Sequence, residues 1–123
     1  MTSRSLLLID NNDDYATLVK FFWEESTDWE ITTALDGKEG IAKAQREQPD
    51  LILLDLAMPS LDGVAVYKML NSDRSTRCIP TVLLTAMVGI EQMVCFEVND
   101  NVEVITKPMD LTVLKNQISD LYD

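Results

Sequence analysis

Five short runs of apolar and branched residues punctuate this chain, at 5–10 (SLLLID), 29–34 (WEITTA), 51–55 (LILLD), 79–85 (IPTVLLT) and 102–106 (VEVIT). The first, third and fourth show no polar alternation, the pattern of strands covered on both faces. The second and fifth alternate, as edge strands with a more exposed face do. The stretches between them have helical spacing. Residues 13–25 put Tyr15, Leu18, Val19 and Phe22 on one side of a helix. Leu111, Leu114, Ile118 and Leu121 recur at steps of three, four and three behind Asp110, a residue suited to an N-cap. Residues 37–48, 64–71 and 90–98 are the other helix candidates. Strands that alternate with helices are joined by crossovers, and crossovers build a parallel sheet with helices on both faces. The expectation is an α/β fold: a five-stranded parallel sheet flanked by five helices.

The chain has 123 residues, enough for one domain with its own core, and shows no linker, repeat or low-complexity tract. A single domain over residues 1–123 with no second, output domain is expected. The sequence contains no histidine, which removes Ser-His-Asp and Cys-His nucleophiles and His-ligated zinc. Ten Lys and Arg stand against 21 Asp and Glu, a formal net charge of −11. Such acidity repels phosphate backbones and anionic headgroups, so neither nucleic acid nor membrane is an expected partner. Cys78 and Cys95 stand apart in no metal-binding spacing and read as reduced, largely buried thiols. No apolar run approaches the roughly 20 residues of a membrane helix, and the start of the chain does not read as a signal peptide. A cytoplasmic location is expected.

Ligands of open parallel sheets bind beyond the carboxyl ends of the strands, where the strand order switches direction. Four of the five strand ends carry chemically capable residues: Asp10-Asn11, Asp55, Thr85 and Lys107-Pro108. In the order 2-1-3-4-5, strands one and three are neighbours, about 4.8 Å apart. Asp10 and Asp55 then approach one another. Two close carboxylates resist joint ionisation, and a hard cation such as Mg²⁺ relieves them through oxygen ligands.

The joint pattern SLLLIDNN, LILLDLAMPSLDG, TVLLTA and ITKP resembles the receiver domain of two-component response regulators, the CheY-like family with its flavodoxin-like sheet order. The likeness spans nearly the whole chain. It implies that Asp55 is a phosphoacceptor, taking a phosphoryl group from a histidine kinase or a histidine phosphotransfer protein. It implies Mg²⁺ held by Asp10, Asp55, the position of Asn11 and the backbone carbonyl of Ala57. It gives Thr85 the role of the hydroxyl that moves to the phosphoryl group, Lys107 that of the ammonium paired with it, and Pro108 a preceding cis bond. Such a protein is a regulatory phosphoacceptor rather than an enzyme. It signals by docking on the face of helix 90–98, the fifth strand and the final helix, to an unidentified downstream protein or to a second copy of itself. Residues 91–123 carry 7 acids and 2 bases, so a partner there would be basic or apolar.

Three positions depart from the family pattern. Asn11 stands where a second acid is usual, which implies weaker Mg²⁺ binding. Val104 replaces the aromatic that usually couples the threonine to the output face. Residues 98–101 read Val-Asn-Asp-Asn instead of the usual Gly-Ala. Ala57 and Met87 occupy positions that influence the lifetime of the phosphoryl group. Gly63, after Met58-Pro59 and Asp62, is expected to supply backbone freedom to the loop behind the acceptor strand. The alternative reading is a degenerate receiver, an interaction module that works without phosphorylation. A phosphohydrolase would want an acid at Asn12, and a flavin-binding fold would want a Ser/Thr/Gly-rich loop after strand one.

Overall fold

The computed structural model describes residues 4–56, 63–85, 103–106 and 110–122. The elements in order are β1 (Ser5–Ile9), α1 (Asp13–Ser26), β2 (Glu30–Ala34), α2 (Gly37–Glu47), β3 (Leu51–Asp55), α3 (Gly63–Ser72), β4 (Thr81–Thr85), β5 (Glu103–Thr106) and the C-terminal helix α4 (Leu111–Tyr122). The strands form one sheet in the order β2-β1-β3-β4-β5, with every neighbouring pair parallel. This is the expected α/β topology. Four helices lie among the described residues, and the expected fifth, at 90–98, lies outside them.

Alternation along the central strands divides the core into two layers. Leu6 and Leu8 of β1, Leu51 and Leu53 of β3, and Val82 and Leu84 of β4 face Ala16, Val19 and Trp23 of α1 and Leu114 and Ile118 of α4. Leu7, Ile9, Ile52, Leu54 and Leu83 face the other way, against Ala44 of α2 and Val66 and Leu70 of α3. All five residues of β3 are buried. Each fully buried Leu or Ile contributes roughly 1.5–3 kcal/mol relative to exposure, so the middle of the sheet dominates the apolar stabilisation. β2 and β5 occupy the two edges, as their polar alternation implies.

Local departures from the sequence reading have local causes. The buried face of α1 runs through Ala16, Val19 and Trp23, with Tyr15 and Phe22 at its margin, while Leu18 is 60% exposed. Trp23 offers the larger payload, and the helix is rolled to bury it. α2 stops at Glu47 because Gln48 precedes Pro49, which disfavours the right-handed helix; Gln48 adopts a left-handed φ of 50° instead. β4 begins at Thr81, since Pro80 has no N–H for the ladder, although its carbonyl still accepts from Ile52 N–H at 2.9 Å. Asp110 does cap α4, accepting from Thr112 N–H at 2.8 Å.

Candidate functional site

Register brings the two acids together. Ile9 pairs with Leu54 across β1 and β3, so the next residue on each strand, Asp10 and Asp55, stands at the same level of the sheet. Neighbouring strands lie about 4.8 Å apart. Leu8 and Leu53, two residues earlier, both face α1 and α4, and the period of two carries Asp10 and Asp55 to that same face. Both side chains are buried, with 0% and 4% exposure respectively.

Asp10 is held by its own neighbourhood. Its N–H donates to the Ala34 carbonyl at 3.0 Å, extending the β1–β2 ladder by one bond. Its Oδ1 accepts from Asn12 N–H at 2.9 Å. The Asn12 side chain in turn caps α1, accepting from Tyr15 N–H at 3.0 Å. A strand end, a turn and a helix start are thereby linked through one carboxylate. Asn11 is exposed beside it.

Tyr15 reports on the pair. Burial first, and then the charges of Asp10 and Asp55, together push its phenol up to about 12 from an ordinary value near 10. A third anion beside two carboxylates is disfavoured by burial and by both charges. In the sequence Tyr15 is one of four residues on a single side of the first helix. Its place in the first turn of the helix that follows Asp10 is the signal that links it to the acids.

Gly63 is required for space. It opens α3, and a Cβ there would collide with the Asp55 carbonyl oxygen and Leu56 Cα. Its N–H donates to the Leu56 carbonyl at 3.1 Å. Its φ lies outside the left-handed region, so the expected backbone freedom is not the reason for glycine; close approach of α3 to the end of β3 is.

Asp55 pairs with Leu84, and Thr85 ends β4 one step further on, in register with Thr106 of β5. The structure thus brings Asp10 and Asp55 together and ends β4 at the same edge. Ala57, Met58, Pro59, Asp62, Met87, Lys107, Pro108 and the 98–101 stretch lie outside the described residues. Val104 is half-buried and packs against the layer of α2 and α3. A cavity of about 220 Å³ lies at the opposite, amino-terminal edge of β4 and β5, between Tyr67, Cys78 and Glu103, and includes none of the candidate residues; Cys78 is exposed there, not buried as expected.

The donor set fits a hard divalent cation: two buried, level carboxylates with only oxygen to offer. Among the described residues no group of three or more His, Cys, Asp or Glu converges. A cation at Asp10 and Asp55 would complete its shell from amide or main-chain oxygens and water, as Mg²⁺ commonly does. Among the same residues, no helix is long and apolar enough to cross a membrane.

Comparison with known proteins extends this picture. The response regulator receiver domain family model matches residues 6–119. The response regulator PleD of Caulobacter vibrioides is 39% identical over 93 residues, covering 76% of this chain and 20% of PleD. The chemotaxis response regulator CheY4 of Vibrio cholerae superposes with a TM-score of 0.86 at 24% identity, covering 98% of this chain and 99% of that one. The response regulator TrrA of Thermotoga maritima, solved in complex with Mg²⁺-BeF, gives 0.81 at 24% identity over 96% and 98% of the two chains. At those identities the two solved structures attest to the fold. The chain spans less than half the length of the curated relatives it matches.

Proposed function

Because this chain belongs to the response regulator receiver domain family of two-component systems, we propose that it is a phosphoacceptor, taking a phosphoryl group onto Asp55 from the phosphohistidine of a histidine kinase or phosphotransfer protein. The observation that carries the reading is the buried, level pair Asp10–Asp55 at the carboxyl edge of the sheet.

In the transfer, an Asp55 carboxylate oxygen bonds to phosphorus as the phosphorus–nitrogen bond to the donor breaks, and the histidine nitrogen keeps the electron pair. A carboxylate is a weak nucleophile, and phosphoryl transfer depends mainly on positioning and charge neutralisation. Rigid β3 and the close approach of Gly63 position Asp55. Asp10, Asp55, Asn11 and the Ala57 carbonyl would hold Mg²⁺, which would supply positive charge to offset that of the incoming phosphoryl group. Lys107 follows the Thr106 end of β5 and would add a compact cation. Thr85 would place its hydroxyl on the phosphoryl group once it has arrived.

The charge added at this edge would bias the arrangement of neighbouring segments, and the output is docking through the face of residues 90–98, β5 and α4. The domain is regulatory; the only reaction it promotes is gain and loss of its own phosphoryl group. Borohydride reduction of the phosphorylated protein tests the acceptor, because it converts an aspartyl phosphate to homoserine. Peptide sequencing should read homoserine at position 55; homoserine at another aspartate would overturn the assignment.

A further inference from the structure

β2 is the outer strand on one side of the sheet, and an open strand edge invites further strands. In a parallel ladder, alternate residues turn both main-chain groups toward the same neighbour. Glu30 and Ala34 turn theirs inward: Glu30 N–H donates to Arg4, and Ala34 accepts from Asp10 N–H. Ile31, Thr33 and Leu35 therefore face outward.

Four of those outward groups are engaged by charged side chains from two helices. Ile31 N–H donates to Glu24 Oε2 at 3.1 Å, and the Ile31 carbonyl accepts from Lys20 Nζ at 2.7 Å. Lys20 and Glu24 are themselves paired at 3.2 Å, one turn apart on α1. The Thr33 carbonyl accepts from Lys43 Nζ at 2.6 Å, and Leu35 N–H donates to Glu39 Oε1 at 2.8 Å. Glu39 and Lys43 are again one turn apart, at 3.8 Å, on α2. α1 and α2 lie on opposite faces of the sheet, so the rim is gripped from both sides. The Ile31 N–H, ahead of Lys20, also holds the Glu24 carboxyl below the usual range. An exposed ion pair alone would be worth little. Here each pair also saturates main-chain donors and acceptors that a docking strand would need.

We infer that the Lys20–Glu24 and Glu39–Lys43 pairs are clips that close the outer edge of β2, and that they keep a second copy of the chain from extending the sheet there. The inference is independent of phosphoryl chemistry. It confines association of the folded domain to its helical faces and to the far side of the sheet.

The test removes both clips at constant net charge in the full chain, as K20A/E24A/E39A/K43A. The control, R46A/E47A/R74A/D120A, removes the same number of charges from exposed positions. Sedimentation and amide hydrogen exchange are followed across a concentration series, under conditions where denaturation curves show each protein folded. At low concentration the clip variant should exchange Ile31 and Leu35 amides roughly tenfold faster than the control, as loss of a charge-assisted bond implies. At high concentration it should self-associate, with those same amides protected again, while wild type and control do not associate through this edge. If the four-fold variant does not fold, K20A/E24A and E39A/K43A each remove one clip at constant charge and are read in the same way. A clip variant that sediments like the control at every concentration overturns the inference, as does one that associates without protecting residues 31–35.

Discussion

Asp10 and Asp55 end neighbouring strands at the same level of the sheet, one step past the Ile9–Leu54 pair, and both are buried. Two like charges held this close favour whatever neutralises them.

Asp10→Asn keeps the Oδ1 that accepts from Asn12 N–H and removes one of the two charges. Metal-free, the variant should be about 1 kcal/mol more stable than wild type in urea, because functional clusters of like charge cost stability. Added Mg²⁺ should stabilise wild type by mass action and leave the variant unmoved. Equal Mg²⁺ stabilisation of both proteins would remove Asp10 from the cation site.

Asn11→Asp adds a carboxylate on the residue after Asp10. Affinity for Mg²⁺ rises with ligand charge, and the increase should be on the order of tenfold, equivalent to about 1.4 kcal/mol. Titration calorimetry measures it. Unchanged affinity would mean that position 11 does not reach the ion.

Gly63→Ala forces a Cβ against the Asp55 carbonyl oxygen and Leu56 Cα. Backbone cannot yield as a flexible side chain does, so the variant should lose about 1–3 kcal/mol in denaturant unfolding. It should also be phosphorylated more slowly, since the displaced residue is the acceptor. Gly40→Ala is the comparison, because the nearest atoms its Cβ would meet belong to the side chain of Ile9 and not to backbone. It should lose less stability.

Tyr15→Phe isolates the phenol. Its value is raised from near 10 to about 12 in the folded protein, so the folded state holds that proton more tightly than the unfolded chain. The resulting stability is fully present below pH 10 and is lost as pH rises through about 12. Wild type should therefore lose stability more steeply than Tyr15→Phe between those limits. Parallel curves would mean that neither burial nor the acid pair raises the phenol in the folded protein.

Much of the fold is legible in sequence because the central strands are buried on both sides. LILLD has a composition that no exposed segment tolerates, and β3 occupies residues 51–55 as read. The site acids follow from strand ends plus strand order. Less legible are features set by packing between elements. Leu18 and Trp23 both fit a helical stripe, and only the position of α1 against β1 and the C-terminal helix decides which is buried. Gly63 reads as a turn glycine until the end of β3 is seen pressed against it. Tyr15 reads as core until the acids are placed beside it. The clips on β2 pair residues 20 with 31 and 43 with 33, contacts that no short-range pattern contains.

The most direct measurement is intact mass after incubation with Mg²⁺ and a small-molecule phosphodonor. The account predicts one phosphoryl adduct on wild type, lost when the metal is chelated beforehand and lost in Asp55→Asn. No adduct on wild type, or an equal adduct on Asp55→Asn, would contradict it.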